Sequence, residues 1–490
     1  MYVRRLPMEK RTDAIYFSTF CDRYTPYSLA RKLGARALFE SASFSGGRDR
    51  YSILMAEEAF HIVQDDEGVA FIIDGRRVPF VPAEPAERTG HEPDILDALC
   101  YVAGQNPDPP EHIPLPASGT GFLGYEFAAR CDTITFAPQE DELHIPESEF
   151  IAGHLYIVFD HFTQKLHLFA LNYTEHQIDL RKLVESVKNR LTDMDFSYLA
   201  PPPDAVPCRI ITDLERSRDE YYEKIGRLKT HITAGDIIQA VPSRRLQIES
   251  SVSAIEIYRR LRTLNPSPYL FYLDFGTYQL VGSSPECLVR VRNGEASIRP
   301  IAGTRRRGKT AAEDERIKME LLGDAKERAE HLMLVDLARN DLGRVCMRGS
   351  VTVTKFMDCE VFSHVIHIVS DVTGKTAAGI RPSEVLRSAF PAGTVSGAPK
   401  ISAIQIVSGL EKNKRRFYAG AVGYVQADGD LDFCIAIRCA LRQDKRWTLQ
   451  AGGGIVCGSS CEREWEETNE KLGALCAVFG LESKQQEIKK

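Results

Sequence analysis

The sequence predicts an α+β fold with antiparallel strand pairing. Three observations carry this. Short runs with period-two alternation dominate the N-terminal part. Beyond them strands and helices follow one another irregularly, without the repeated βαβ unit of a parallel sheet. The 490 residues, 43% hydrophobic and 27% charged, suffice for two domains or one large layered body.

In chain order, "EAFHIVQDD", "GVAFIID", "HLYIVFD" and "KLHLFALNY" read as strands, with the Pro-rich "NPDPPEHIPLP" interrupting them. The helix "TEHQIDLRKLVESVKNRL" closes this part. "APPPDAVP", Ala200 to Pro207, reads as an extended linker, because proline resists both helix and sheet. It separates an N-terminal region, 1–200, from a C-terminal region, 208–490, with 201–207 as the connection. "LERSRDEYYEKIGRLKTHITAG" is a helix that Gly235 ends, and "SAIEIYRRLRTL" is a second. "IIQAVPSRRLQI", "YLFYLDF", "YQLVGSS", "CLVRVRN", "ASIRPI" and "DCEVFSHVIHIVSDVTG" each read as one strand. The helix "PKISAIQIVSGLEK" precedes the strands "FYAGAVGYVQA", "LDFCIAIRCALR" and "WTLQAGGGI", and "CEREWEETNEKLGALCAVFGL" is the final helix.

A formal net charge of −6 supplies no basic field to hold nucleic acid or an anionic membrane. "MYVRRLPMEKRTDAIYF" has no apolar core of signal-peptide length, and no run approaches a membrane span. A soluble, cytoplasmic protein is expected, with no nucleic-acid or membrane partner. The twelve cysteines form no C-x-x-C; Cys434/Cys439 and Cys457/Cys461 are the closest pairs and lack histidines at ligand spacing. Reduced, partly buried thiols are expected rather than zinc.

"GTRRRGKT", Gly303 to Thr310, fits the phosphate-loop pattern G-x-x-x-x-G-K-[ST]. Such a loop wraps its backbone around phosphate oxygens between a strand and a helix N-terminus. Three arginines crowd the wrap here. Downstream, "LMLVD" imitates the apolar strand ending in a magnesium-binding Asp, but Ala329, Leu332, Met333 and Leu337 follow helical spacing, which puts Asp336 in mid-helix. An exposed basic turn is the better reading of "RRRGK".

On that helix Glu327 and Glu330 are three residues apart and share a face, and Glu464 and Glu467 repeat the spacing on the last helix. Two such pairs could close on a hard cation such as magnesium, which prefers oxygen ligands. Solvated helix surface is the commoner fate of glutamates, and spacing alone leaves it standing. "AGGGI", Ala451 to Ile455, is either a loose turn or a place where a ligand meets the backbone closely. Arg438 and Lys471 could neutralise carboxylates.

"PIAGTRRRG", "KERAEHLMLVDLARNDLGRV", "FPAGTVSGAPKISAIQI", "YAGAVGY", "DFCIAIR", "QAGGGIV" and "EWEETNEK" together resemble the chorismate-utilising enzymes, in order over about residues 210 to 480. The resemblance implies two antiparallel-rich β-sheets packed face to face with helices on the outside. It assigns Gly303 and Thr304 to the substrate rather than to a nucleotide. Members that add water to chorismate carry a lysine base where this chain has Gln239, which cannot act as a base at neutral pH. Many aminodeoxychorismate synthases carry a nucleophilic lysine where this chain has Ala302, although some lack it. "PIAGT", "QAVPS" and "NPSPYLFYL" are most similar to the component I branch of the anthranilate synthases; aminodeoxychorismate synthase component I is the alternative.

That resemblance implies formation of anthranilate and pyruvate from chorismate and ammonia with Mg2+. Glu330 and Glu467 would hold the metal, supported by Glu327 and Glu464. Tyr418, Arg438, Gly452, Gly453, Gly454 and Lys471 match positions that bind the chorismate carboxylates. His367 matches the histidine expected to protonate the leaving hydroxyl, with His364 a structural neighbour, and Thr394 lies at the site wall. "LFESAS", Leu38 to Ser43, and "NPSPYL" resemble the two walls of a feedback pocket for tryptophan, which implies Glu40, Ser41, Asn265, Pro268, Tyr269, Leu270 and Tyr424 as its residues. Phe39 and Leu270 depart from the usual Leu and Met but stay apolar. No G-x-C-x-G-x-Q nucleophile segment is present. The resemblance therefore implies a separate glutamine amidotransferase subunit as the ammonia source, in a hetero-oligomer.

Overall fold

The computed structural model describes residues 13–42, 50–82, 91–110, 113–193, 195, 206–361 and 365–481. Among the described residues twenty-one strands join in one hydrogen-bonded network, and every pair of named strands is antiparallel. Helices and strands are thus mixed as the alternating runs predict. The Pro-rich connection lies largely outside the described residues.

The N-terminal and C-terminal regions share this network at two places. Ala37–Glu40 pairs with Tyr51–Asp65 on one side and with Tyr269–Asp274 on the other, setting Leu270 opposite Glu40. Thr120–Leu123 pairs with both Ser148–Asp160 and Ala421–Val425. Along Ser148–Asp160 every residue is buried. Alternate side chains enter two different apolar clusters: Phe150, Tyr156 and Val158 join one, while Leu155, Ile157 and Phe159 join the other. Both faces of this strand are covered, so its sequence reads as continuously apolar. Burial of each large apolar side chain there stabilises by roughly 1.5–3 kcal/mol.

Several runs are shorter or more divided than the sequence suggests. "IIQAVPSRRLQI" gives two strands, Gln239–Ala240 and Ser243–Glu249, because Pro242 has no N–H for the ladder. "DCEVFSHVIHIVSDVTG" is not one strand. It belongs to two antiparallel strands, Thr352–Val361 and Val365–Lys375, and His364 falls between them, outside the described residues. "LDFCIAIRCALR" breaks into Leu431–Ile435 and Cys439–Gln443, with Arg438 at the break in a left-handed conformation (φ 52°). The helix of the N-terminal part starts at Leu180, where Asp179 caps the N–H groups of Arg181 and Lys182.

The long helices match their periodicity. Leu214–Ala234 ends at Gly235, whose φ of 86° needs no Cβ to avoid. Ala325–Gly343 is capped by Asp324, and Cys461–Val478 by Ser460. The phosphate-loop match dissolves, because Gly303 to Arg306 lies within the strand Ile301–Arg306. All twelve cysteines are free.

Candidate active site

The N-terminal turns of Ala325–Gly343 present Glu327 and Glu330, and those of Cys461–Val478 present Glu464, Glu467 and Lys471. The glycine run after Arg446–Gly452 lies against the second helix. A Cβ on Gly453 would stand 3.1 Å from Glu464 Oε2, 3.3 Å from the Tyr221 hydroxyl and 3.8 Å from Glu467 Oε1. Any side chain there would fill the space in front of these groups.

The two acidic pairs lie in each other's field. Burial raises the Glu330 pKa, and the charges of Glu327 and Glu467 raise it further. Burial also raises that of Glu464, with Glu467 adding to it against a hydrogen bond from Ser459. Glu467 goes the other way: burial would raise it, but Lys471, 2.8 Å away, outweighs that. Lys471 also donates to the Gly452 carbonyl at 2.7 Å. Glu327 is held by Arg305 at 2.9 Å. Glu464 Oε2 is buried with no hydrogen-bond partner, as is the Tyr221 hydroxyl.

The four glutamates do not converge on one liganding point. Among the described residues the single group with three ligand atoms so gathered is His91, Asp94 and Asp97, where Arg381 and Arg387 already neutralise the aspartates. A divalent cation nevertheless fits the glutamates chemically. Oxygen donors from two helices repel one another, one oxygen lacks a partner, and a cation would answer both.

His367 lies in Val365–Lys375, directly opposite Thr304 of Ile301–Arg306. Its Nδ1 donates to the Gly303 carbonyl at 3.0 Å, with the Thr304 hydroxyl at 3.1 Å. That bond selects the tautomer with the proton on Nδ1. Burial lowers the His367 pKa, and Arg438 lowers it further, so the ring is neutral at pH 7. Gly303 has φ of 58°, and a Cβ there would come within 3.3 Å of Glu327 Oε2 and Ile368. It lets the strand pass close to the carboxylates.

Arg438 faces Tyr418, Glu467 and Glu286, and among the described residues it forms no ion pair. A guanidinium so placed has N–H groups with which a carboxylate can pair. Gln239 sits against the glycine run, its Nε2 2.5 Å from where a Gly454 Cβ would stand. Thr394 has a buried hydroxyl with no hydrogen-bond partner.

The sequence reading missed Glu286. It follows "SSP" between Gln279–Ser284 and Cys287–Arg292, and its carboxyl faces Thr394, Lys471 and Arg438. Burial dominates those neighbours and pushes its pKa up to about 7. A lone acid between two apolar strands, in "LVGSSPECLV", is the signal that could have found it. Tyr221 had no comparable signal, because it reads as one more apolar helix position.

The residues expected to wall a tryptophan pocket also lie near one another. Glu40 opposes Leu270 across the strands and accepts from Tyr258 at 2.7 Å and Arg262 at 3.0 Å. Asn265 donates to Ser283 at 3.1 Å. The Tyr269 hydroxyl donates to Asp432 and accepts from Arg290, both at 2.9 Å. Tyr424 meets Phe39 edge to face at 6.3 Å. Ser41 and Pro268 flank the bond from Ala42 N–H to the Ser267 carbonyl. Ser43 lies outside the described residues.

Known proteins resemble this chain over most of its length. The chorismate binding enzyme family matches residues 59–477. Anthranilate synthase component 1 of Spirochaeta aurantia is 49% identical over 462 residues, covering 94% of each chain. The crystal structure of anthranilate synthase component I from Streptococcus pneumoniae superposes with a TM-score of 0.75 at 33% identity, over 87% of this chain and 92% of that one. The menaquinone-specific isochorismate synthase of Escherichia coli shares the fold, with a TM-score of 0.70 at 18% identity over 96% of this chain and 95% of its own.

Proposed function

The chain belongs to the chorismate-binding enzymes and, among them, to the anthranilate synthase component 1 family, and from that premise we propose how its residues make anthranilate. It is a chorismate-utilising enzyme of tryptophan synthesis that converts chorismate to anthranilate. The observation that carries the assignment of the site is the facing of Glu327/Glu330 and Glu464/Glu467 beside Glu286, His367 and Arg438.

Arg438 and Lys471 bind the carboxylates of chorismate, and the backbone of Gly452, Gly453 and Gly454 lets the ring approach. Glu330 and Glu467 would hold magnesium, with Glu327 and Glu464 behind them; bound there it neutralises the ring carboxylate and draws electron density from the ring. A cation there would compete with Lys471 for Glu467 and with Arg305 for Glu327.

Ammonia adds at C2 as the C4 hydroxyl departs as water. That departure needs a proton. Glu286, with a pKa near neutrality, holds one at the working pH and lies beside Arg438 and Lys471. His367 was the expected acid, but a neutral ring with its Nδ1 proton on Gly303 is better suited to accept. We give it the second step: it takes the C2 proton as the C3–O bond breaks and the ring becomes aromatic, and the released enolpyruvate takes up a proton on its methylene carbon to become pyruvate. Gln239 packs the wall where a basic side chain would activate water.

Further parts of the reading rest on the same premise. The strand network folds into two facing antiparallel layers, supported by the two apolar clusters on opposite faces of Ser148–Asp160. Tryptophan binds at Glu40, Ser41, Asn265, Pro268, Tyr269, Leu270 and Tyr424 and inhibits. A separate glutaminase component supplies ammonia. No helix among the described residues is long and apolar enough to cross a membrane.

The test is incubation of the pure protein with chorismate, a magnesium salt and an ammonium salt, with and without tryptophan, and chromatographic identification of products. Anthranilate with pyruvate, suppressed by tryptophan, is expected. Aminodeoxychorismate would move the activity to amination at C4, and isochorismate would mean that water is activated despite Gln239.

A further inference from the structure

We propose that Arg415 is a positioning residue that holds four walls of the active site in register from behind; this rests on the functional reading above. Arg415 is 1% exposed, and its side chain contacts no residue assigned to chemistry as an acid or base. Its guanidinium nonetheless makes four hydrogen bonds. Nε and Nη2 grip the Glu411 carboxylate at 2.7 and 2.8 Å, Nη1 donates to the Val395 carbonyl at 3.0 Å, and Nη2 donates to the Val241 carbonyl at 2.6 Å.

Each anchor is tied closely to a site residue. Val395 follows Thr394, which faces Glu286. Val241 lies two residues after Gln239, on the segment that packs against Gly454. The Arg415 carbonyl accepts the N–H of Tyr418, and the guanidinium lies 5.9 Å from the Tyr418 ring and 4.4 Å from that of Tyr125. Glu411 accepts from both the N–H (2.7 Å) and the hydroxyl (2.8 Å) of Ser243, and Ser243 is the strand partner of Gly452.

The planar fork of arginine satisfies three acceptors in fixed directions, which the point charge of lysine cannot do. Fold stability alone needs a partner for Glu411. It does not need one cation shared among segments carrying Gln239, Thr394, Tyr418 and Gly452. A shift of about 1 Å in such walls costs on the order of 100-fold in rate.

The experiment compares Arg415→Lys with Arg387→Lys, another buried arginine, whose partner Asp94 is outside the site. Circular dichroism gives the folded fraction, thermal melting the stability, and steady-state kinetics with ammonium the KM and kcat. Both variants should lose Tm. Arg415→Lys should also lose kcat per folded site by about 100-fold, with the KM for chorismate changed far less, while Arg387→Lys keeps wild-type kcat. A wild-type kcat per folded site in Arg415→Lys overturns the proposal. If that variant does not fold, Ser243→Ala, which loosens the same carboxylate, takes its place: a several-fold lower kcat supports the proposal and an unchanged kcat overturns it. A wild-type product other than anthranilate defeats the functional reading alone, since the kcat ratios are then read in whatever product forms.

Discussion

At the seam where Ala37–Glu40 meets Tyr269–Asp274, the Glu40 carboxylate is held by Tyr258 and Arg262, and Asp432 by Tyr269 and Arg290. At the active site Glu330 is flanked by two like charges, Glu464 Oε2 has no hydrogen-bond partner, and the hydroxyls of Thr394 and Tyr221 are buried without one. Both places are walled by residues from distant parts of the chain. They differ in how much of their polar chemistry the protein completes by itself. Buried groups left incomplete cost stability, and around the glutamates several of them face one space that a ligand could fill. At the seam the two carboxylates already have charged and hydroxyl partners, and a ligand there would have to shift existing pairs.

The sharpest way to break this contrast is at Glu286. Glu286→Gln keeps the shape and removes the proton donor, so kcat should fall about 10²- to 10⁴-fold, with Tm little changed. The pH dependence carries the same information. Burial places the Glu286 pKa at about 7 in the folded state, above the ordinary 4.5. The acid is therefore present below about 7, and wild-type kcat should decline as pH rises through it. The stability linked to this group has the same sign: it is complete below 4.5 and is lost as pH rises through about 7, and Glu286→Gln should flatten that loss in a pH series of melts. A kcat flat from pH 6 to 9 would remove Glu286 from the acid role.

The metal carboxylates should give the next largest effect. Glu467→Gln should raise the magnesium concentration required by about 10- to 100-fold, read both in the assay and in Mn2+ binding followed by electron paramagnetic resonance. In chelator, Glu330→Gln should raise Tm, because it removes a like charge from an incomplete cluster. If it lowers Tm instead, the cluster is satisfied as it stands and the contrast with the seam fails.

Changes at the seam should be smaller and of another kind. Arg262→Met leaves Glu40 with Tyr258 alone and should cost about 1–3 kcal/mol; it should weaken tryptophan inhibition while turnover without tryptophan stays within about twofold. Tyr269→Phe removes two hydrogen bonds, to Asp432 and from Arg290, and should cost about 1–3 kcal/mol, with a shift in tryptophan sensitivity as the readout. Loss of turnover in either would show the two places to be one functional unit.

Much of this was legible in the chain itself. The helices Leu214–Ala234, Ala325–Gly343 and Cys461–Val478 follow from apolar spacing and caps that lie within a few residues, as does the failure of the phosphate loop. The acidic pairs share a face for the same local reason. Resemblance then named the substrate and the pocket residues, and the structure brings them to two places. The division of "DCEVFSHVIHIVSDVTG" was not legible, since an apolar alternation runs on through the break between its strands.

The sequence by itself therefore determined which residue types occur, in which local elements and on which face, because periodicity, capping and turn chemistry act over a few residues. Only the tertiary structure decided which of those residues are charged, paired or incomplete. It closed Glu40 with Arg262, 222 positions away, left Glu464 open, tied Arg415 to Val241 and set Glu286 near neutrality. The free energy of a charge depends on the dielectric and the partners around it, and those are supplied by segments that meet only when the chain folds.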